Sequence, residues 1–176
     1  MLVSSTGKYF SVGGDMNMFL SDRGKIPEIV RRTTADLNSA IVCLLRLDAP
    51  IICTVQGPAA GGAIGLIAMA DFVFSSPRAR FTPAFPMIGF SADCGTTLTL
   101  PARMGYARAK QFLLLSDTIS AEDAKQSGLV DEILAEEDFL AEAERLAGRF
   151  ANGPTLAYGG IKRTMASAPA RDRGRA

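Results

Sequence analysis

The chain has 176 residues, 48% of them hydrophobic and 21% charged, with 19 Lys plus Arg against 18 Asp plus Glu for a formal charge of +1. This is enough chain for one domain with a sizeable core and too little for two independent enzyme domains, and the balance excludes intrinsic disorder and a global field for nucleic acid or an anionic membrane. The sequence contains no histidine, so Ser-His and Cys-His nucleophile pairs, imidazole bases and His metal ligands are all excluded; catalysis must rest on carboxylates, Lys, Tyr, Cys or the backbone.

Three cysteines, Cys43, Cys53 and Cys94, are odd in number and well separated. They fit reduced thiols in a cytoplasmic protein, with Cys43 and Cys53 expected in the core. The longest apolar stretch, 57–70, is rich in glycine, stops at Asp71 and falls short of the ~20 residues of a membrane span. The first eight residues lack the charged and apolar regions of a signal peptide. We therefore expect a soluble cytoplasmic protein with no membrane partner, no nucleic-acid partner and no metal centre.

A strand-like start leads into a small-residue turn, Phe10-Ser11-Val12-Gly13-Gly14-Asp15-Met16. Apolar residues at Ile26, Val30, Leu37, Ile41, Leu44 and Leu45 predict an amphipathic helix over 27–47, with Pro27 in its first turn. Pro50 breaks that period, Ile51 to Val55 reads as a strand, and the glycine-rich turn 57–63 opens into a helix, Ile64 to Met69, apolar on every side. Short strands follow at 71–75 and 80–82, and helical patterns at 95–104 and 107–115. Ser120-Ala121-Glu122-Asp123 is a capping-box start, with Gly128 as the left-handed stop. After a strand-like 129–134, acidic residues 136–138 open a helix carrying Phe139, Ala143, Leu146, Ala147 and Phe150 on one face, closed by Asn152-Gly153-Pro154. The class is α/β. Residues 162–176 carry a net +4 and lose the apolar period, so a core over 1–165 and a basic, disordered tail over 166–176 are expected.

Gly57 and Gly62 have the spacing of a phosphate-binding loop, but Ala63-Ile64 stand where Lys and Ser or Thr are needed, and no G-x-G-x-x-G dinucleotide signature is present. What remains is a helix N-terminus with uncovered N–H groups, suited to an oxyanion or to tight packing alone.

The pair of turns, Phe10 to Met16 and Gln56 to Ala63, resembles that of the crotonases, the enoyl-CoA hydratase/isomerase superfamily. The resemblance continues through Arg80 to Phe85, Ile88-Gly89, Gly95 to Thr97, Leu100-Pro101, Gly105 and Ile119 to Val130, covering about Leu2 to Lys162. It implies a crotonase-like ββα spiral core, incomplete at the N-terminus, and an acyl-CoA thioester as substrate with no permanently bound cofactor. It also implies an oxyanion hole from the N–H groups of Gly14 and Gly62, with Val12, Asp15, Met16, Gly61, Gly65 and Phe85 lining the substrate site and CoA lying along the first turn. Family members form trimers and dimers of trimers, so a homo-oligomer, trimer or hexamer, is expected, with 109–115 and 139–150 as contacts.

The positions of the two hydratase glutamates are Gly65 and Phe85 here, which argues against simple hydration. Asp93 instead matches the aspartate of isomerase-type members such as epoxyphenylacetyl-CoA isomerase, and the resemblance implies that it shuttles a proton to and from an enolate; its alternative is an N-cap for the helix at Gly95. Phe81 and Phe85 are expected either to raise its pKa as apolar walls or to be plain core. Asp15 and Asp71 also read as turn and cap residues, Asn17 stands where many members have lysine, and Lys162, which resembles the family's C-terminal lysine, is expected to be solvated. The opposing expectation is a truncated, catalytically silent module, because the opening strands and closing arm of full-length members have no counterpart in the pattern.

Overall fold

A computed structural model describes residues 1–20 and 23–172. Two sheets share the chain. The first is wholly parallel, in the order β1 (Leu2–Val3), β2 (Ile52–Val55), β4 (Phe72–Ser75), β7 (Glu132–Ile133), with Ile52 paired to Leu2 on one side and to Phe72 on the other. The second pairs β3 (Ala59–Ala60) parallel to β5 (Arg80–Thr82), and β5 antiparallel to β6 (Ile119–Ser120). In the two middle turns, β2 then β3 and β4 then β5, the chain lays one strand in each sheet before a helix carries it onward. The α/β class and the crotonase-like spiral expected from the sequence are both present.

All four residues of β2 are buried, which is why Ile-Cys-Thr-Val shows no polar alternation. Ile51, Cys53 and Val55 join the larger core with Ile64, Ile67 and Leu100, from helices α3 (Ala63–Ala68) and α4 (Thr96–Met104). Ile52 and Phe74 turn the other way, against Phe139 and Ala143 of α7 (Phe139–Ala151). The apolar face of α7 therefore covers the sheet and is not free for a partner, contrary to the expectation for 139–150. Phe150 continues this layer, with its ring 5.4 Å from Phe72 and 5.2 Å from Tyr158.

Local signals in the sequence act where expected. Ser120 Oγ accepts the Asp123 N–H at 3.1 Å while Asp123 Oδ2 accepts the Ser120 N–H at 3.3 Å, opening α6 (Ala121–Ser127), and Gly128 ends it at φ 89°. The long amphipathic helix is α2 (Ile26–Leu45), following a short α1 (Met16–Leu20). Cys53 is buried, but Cys43 is exposed, because the inward stripe of α2 runs through Leu37, Ile41 and Leu44. Only Glu132–Ile133 of the predicted 129–134 strand pairs; Leu129 and Val130 are buried as loop.

Two long-range polar ties went unpredicted. Arg103 of α4 grips Asp131 through both carboxylate oxygens at 3.1 Å and donates to the Ala70 carbonyl at 2.9 Å, while Asp131 accepts the Val73 N–H at 2.7 Å. Lys162 is not solvated: its Nζ meets Asp71 Oδ2 at 2.7 Å and the Ala49 carbonyl at 3.2 Å, and Asp71 also accepts the Ile51 N–H. This pair fastens α8 (Thr155–Asp172) to the start of β2, and α8 runs through the 165/166 boundary where the tail was expected; residues 173–176 lie outside the described residues. Among the described residues no helix is long and apolar enough to cross a membrane.

Phe81 is fully buried, so Phe81→Ala should cost roughly 3–5 kcal/mol, whereas Leu156→Ala, at a residue 79% exposed, should stay within about 0.5 kcal/mol. Urea unfolding of the two variants measures the contrast; equal midpoints would contradict this placement of the core.

Candidate active site

The two small-residue turns are held side by side by backbone pairing. Phe10 N–H donates to the Pro58 carbonyl at 3.0 Å, Ala60 N–H to the Ser11 carbonyl at 2.8 Å, and Ser11 bridges Ala59 in parallel. Gln56 adds a side-chain clasp, its amide donating to the carbonyls of Gly7 (3.2 Å) and Tyr9 (2.9 Å). The approach is close enough that a Cβ on Gly57 would stand 2.2 Å from the Lys8 carbonyl oxygen, so only glycine fits there. Gly61 N–H is used up on the Thr82 carbonyl and Gly13 N–H points to Ser11 Oγ at 3.4 Å. Gly14 and Gly62 are different: among the described residues neither N–H has a protein acceptor.

Both glycines line one cavity of about 740 Å³. Its walls come from the first turn, from the α2 face carrying Val30, Thr33, Thr34 and Leu37, from Leu66 of α3, and from the loop that runs from Ala84 to Cys94. The lining is mostly apolar, and Asp93 is the one charged residue in it among the described residues. Of the residues singled out in the sequence, Val12, Gly14, Met16, Gly61, Gly62, Phe85 and Asp93 are all brought to this cavity.

Asp15 and Gly65 are not. Asp15 accepts the Asn17 N–H on its Oδ1 at 2.8 Å, the short-range turn bond its side chain favours. Gly65 is buried beneath the Asp93 loop, where a Cβ would lie 1.8 Å from the Cys94 carbonyl oxygen. The backbone of residue 94 thus occupies the space that a side chain at position 65 would need. A glutamate at 65 and the present path of the loop exclude one another.

Asp93 Oδ1 accepts from Asn38 Nδ2 at 3.0 Å and from the Cys94 N–H at 2.7 Å. It does not cap α4 with its side chain: Gly95 is the N-cap residue, without a side-chain bond, and the Asp93 backbone carbonyl receives the Thr96 N–H (3.1 Å) and hydroxyl (2.6 Å). The carboxylate is left for the cavity. Burial is the largest single influence on its pKa and works upward, but the bonds from Asn38, the Cys94 N–H and Thr34 together outweigh it, and the group titrates below its ordinary value. This reverses the expectation that Phe81 and Phe85 raise it. Phe81 is core and does not reach the cavity, and Phe85 lines it without displacing those donors.

Cys94 follows at φ 55° with its sulfur near Gly62, where a Cβ would stand 2.9 Å from it. Burial first, and the Asp93 charge second, push its thiol up to about 11, so it stays protonated at neutral pH. Thr34, Asn38 and Cys94 were not recognised as site residues from the sequence. The available signal was two polar residues, four apart, on the apolar stripe of α2. Among the described residues no three Cys, Asp or Glu side chains converge to hold a metal ion.

The family described as Enoyl-CoA hydratase/isomerase matches residues 1–175. The chain is 33% identical over 169 residues to 1,2-epoxyphenylacetyl-CoA isomerase of Escherichia coli (strain K12), covering 96% of this chain and 64% of the relative, and 32% identical over 139 residues to the peroxisomal enoyl-CoA delta isomerase 3 of Mus musculus, covering 79% and 44%. The crystal structure of an enoyl-CoA hydratase from Polaromonas sp. JS666 superposes with a TM-score of 0.87 at 28% identity, over 96% of this chain and 65% of that one. The chain spans less than two thirds of the length of each of these relatives. With the parallel spiral, the paired turns and a family match along nearly its whole length, the chain belongs to the enoyl-CoA hydratase/isomerase family.

Proposed function

We propose that this chain binds an acyl-CoA thioester and moves the double bond of an unsaturated or ring-derived acyl group. The observation that carries the proposal is that Gly14 and Gly62, whose N–H groups have no acceptor among the described residues, and Asp93 line the same cavity. The two amides receive the thioester oxygen, and charge builds on that oxygen as the C2–H bond breaks. Fixed donors of this kind stabilise such a transition state by roughly 3 to 4 kcal/mol each. Asp93, held ionised, takes the C2 proton; the electron pair delocalises into the carbonyl as an enolate conjugated with the neighbouring double bond. Protonation at C4 by the same carboxyl group shifts the double bond and regenerates the carboxylate.

A single base suffices for this 1,3-shift, whereas hydration needs a positioned water and a means to activate it. Gly65 and Phe85 supply no carboxylate, which supports isomerisation over hydration. The mostly apolar lining supports an uncharged acyl group, because the described lining residues include no cation to pair with an anionic one. Residence in the cytoplasm belongs to the same reading, supported by three cysteines that are all free.

Asp93→Asn should lower double-bond migration, and exchange of the C2 proton in deuterated water, by ~10² to 10⁴-fold with the fold intact; unchanged rates would remove Asp93 from the chemistry. Gly65→Ala should lower the same rates by about 10²-fold, because its methyl group displaces the Cys94 carbonyl and with it Asp93. Wild-type exchange in a folded Gly65→Ala protein would show that the loop position is not critical.

We also propose a homo-oligomer, trimeric or hexameric. Support comes from α4 and α5 (Tyr106–Leu115), which leave Leu98, Tyr106, Leu114 and Leu115 at least 60% exposed. Light scattering should give a multiple of the 18.6 kDa chain mass, and a monodisperse mass equal to one chain would contradict it.

A further inference from the structure

One face of α2 carries Val30, Thr34, Leu37, Asn38 and Ile41, at the spacing of a single helical stripe. Its apolar members line the cavity or enter the core; Ile41 is only 2% exposed. Thr34 and Asn38, polar and half-buried on the same stripe, need partners to offset lost hydration. Asn38 finds its partner in Asp93, 55 positions further along the chain, whereas the Thr34 hydroxyl donates to the Arg31 carbonyl of its own helix at 3.3 Å. The bonds from Asn38 and from the Cys94 N–H both land on Oδ1, so Oδ2 receives neither.

We propose that Asn38 is a positioning residue for proton transfer: its amide anchors the Asp93 carboxylate by Oδ1 and thereby commits Oδ2 to the substrate carbon. Thr34 supports the same carboxylate. The inference rests on the reading of Asp93 as the base. Asn38 never touches the acyl group in this scheme; it acts by holding the carboxylate in one orientation and in its ionised form. Among the described residues that line the cavity, none carries a charge that could do this instead. α2 brings Thr34 and Asn38, which do not ionise, α3 and its N-cap bring Gly65 and Gly62, and the Asp93 loop brings the Cys94 thiol, which is protonated at neutral pH. Because that same face of α2 contributes Val30, Thr33 and Leu37 to the cavity wall, the acyl group and the base are referenced to one rigid element.

The test is Asn38→Leu, close in size but without a donor, with C2 proton exchange measured from pH 3.5 to 8 beside the parent and Asp93→Asn. We expect the acid limb of kcat to rise by about one pH unit and kcat on its plateau to fall about tenfold, with KM within about twofold and the melting temperature nearly unchanged. An unchanged acid limb and plateau in Asn38→Leu, with Asp93→Asn inactive, would overturn the role of Asn38 while leaving Asp93 as the base. If Asp93→Asn exchanges normally, the reading of the site fails, and carbon-13 NMR titration of the Asp93 carboxyl in parent and Asn38→Leu then judges the anchor alone: a midpoint raised in the variant supports it, and equal midpoints overturn it. Should Asn38→Leu not fold, the same titration of the parent decides, a midpoint below the ordinary carboxyl range supporting the anchor and one within or above it overturning it.

Discussion

The short run from Pro58 to Ala60 is hydrogen-bonded on two sides, to Phe10 and Ser11 on one and to β5 on the other, and the site depends on that double pairing. Two turns separated by nearly fifty residues each end with an uncommitted amide, and neither turn alone makes a site for a carbonyl oxygen. Pairing fixes their separation to the spacing of adjacent strands, about 4.8 Å. Gln56 tightens the same junction from the side, tying Gly7 and Tyr9 to the start of the second turn. The position of the amides is therefore set by sheet geometry, which is stiff, and not by the loops themselves.

A second constraint operates across the cavity. The loop carrying Asp93 is seated on α3 through the Cys94 carbonyl over Gly65, and residues 94 and 95 both adopt left-handed backbone, φ 55° and 70°, to make that approach. A non-glycine residue held there is costly, of order 1–3 kcal/mol, and the surrounding contacts must hold it in place. The loop and a side chain at 65 compete for one volume. Where the carboxylate stands in this chain is thus a packing outcome as much as a matter of which residues are acidic.

Electrostatics at Asp93 then follow from the count of donors. A carboxylate in a mostly apolar cavity would be pushed toward its neutral form by desolvation alone. The hydrogen bonds from Asn38 of α2 and from the Cys94 N–H, helped by the nearby Thr34 hydroxyl, reverse that tendency and keep it ionised. Cys94, one residue on and without comparable donors, goes the other way and holds its proton. Neighbouring groups in one loop are driven apart in protonation by the bonds each can make.

The sequence by itself determined the class, most elements and the two turns, because hydrophobic period, glycine clusters and the Ser120 to Asp123 box are local signals that burial and hydrogen bonding within a few residues enforce. It also determined what the chemistry could not use, since a chain without histidine leaves few candidates, and Asp93 was visible among them by its place in the motif. Tertiary structure decided the rest. That Asn38 and Thr34 meet Asp93, that Gly65 lies under a carbonyl and outside the cavity, that Phe81 is core, and that Lys162 pairs with Asp71 are all contacts between residues far apart in the chain. No periodicity records such contacts, because each depends on how the elements pack together, and the direction of the Asp93 pKa depends on those contacts and not on the residues beside it in the sequence.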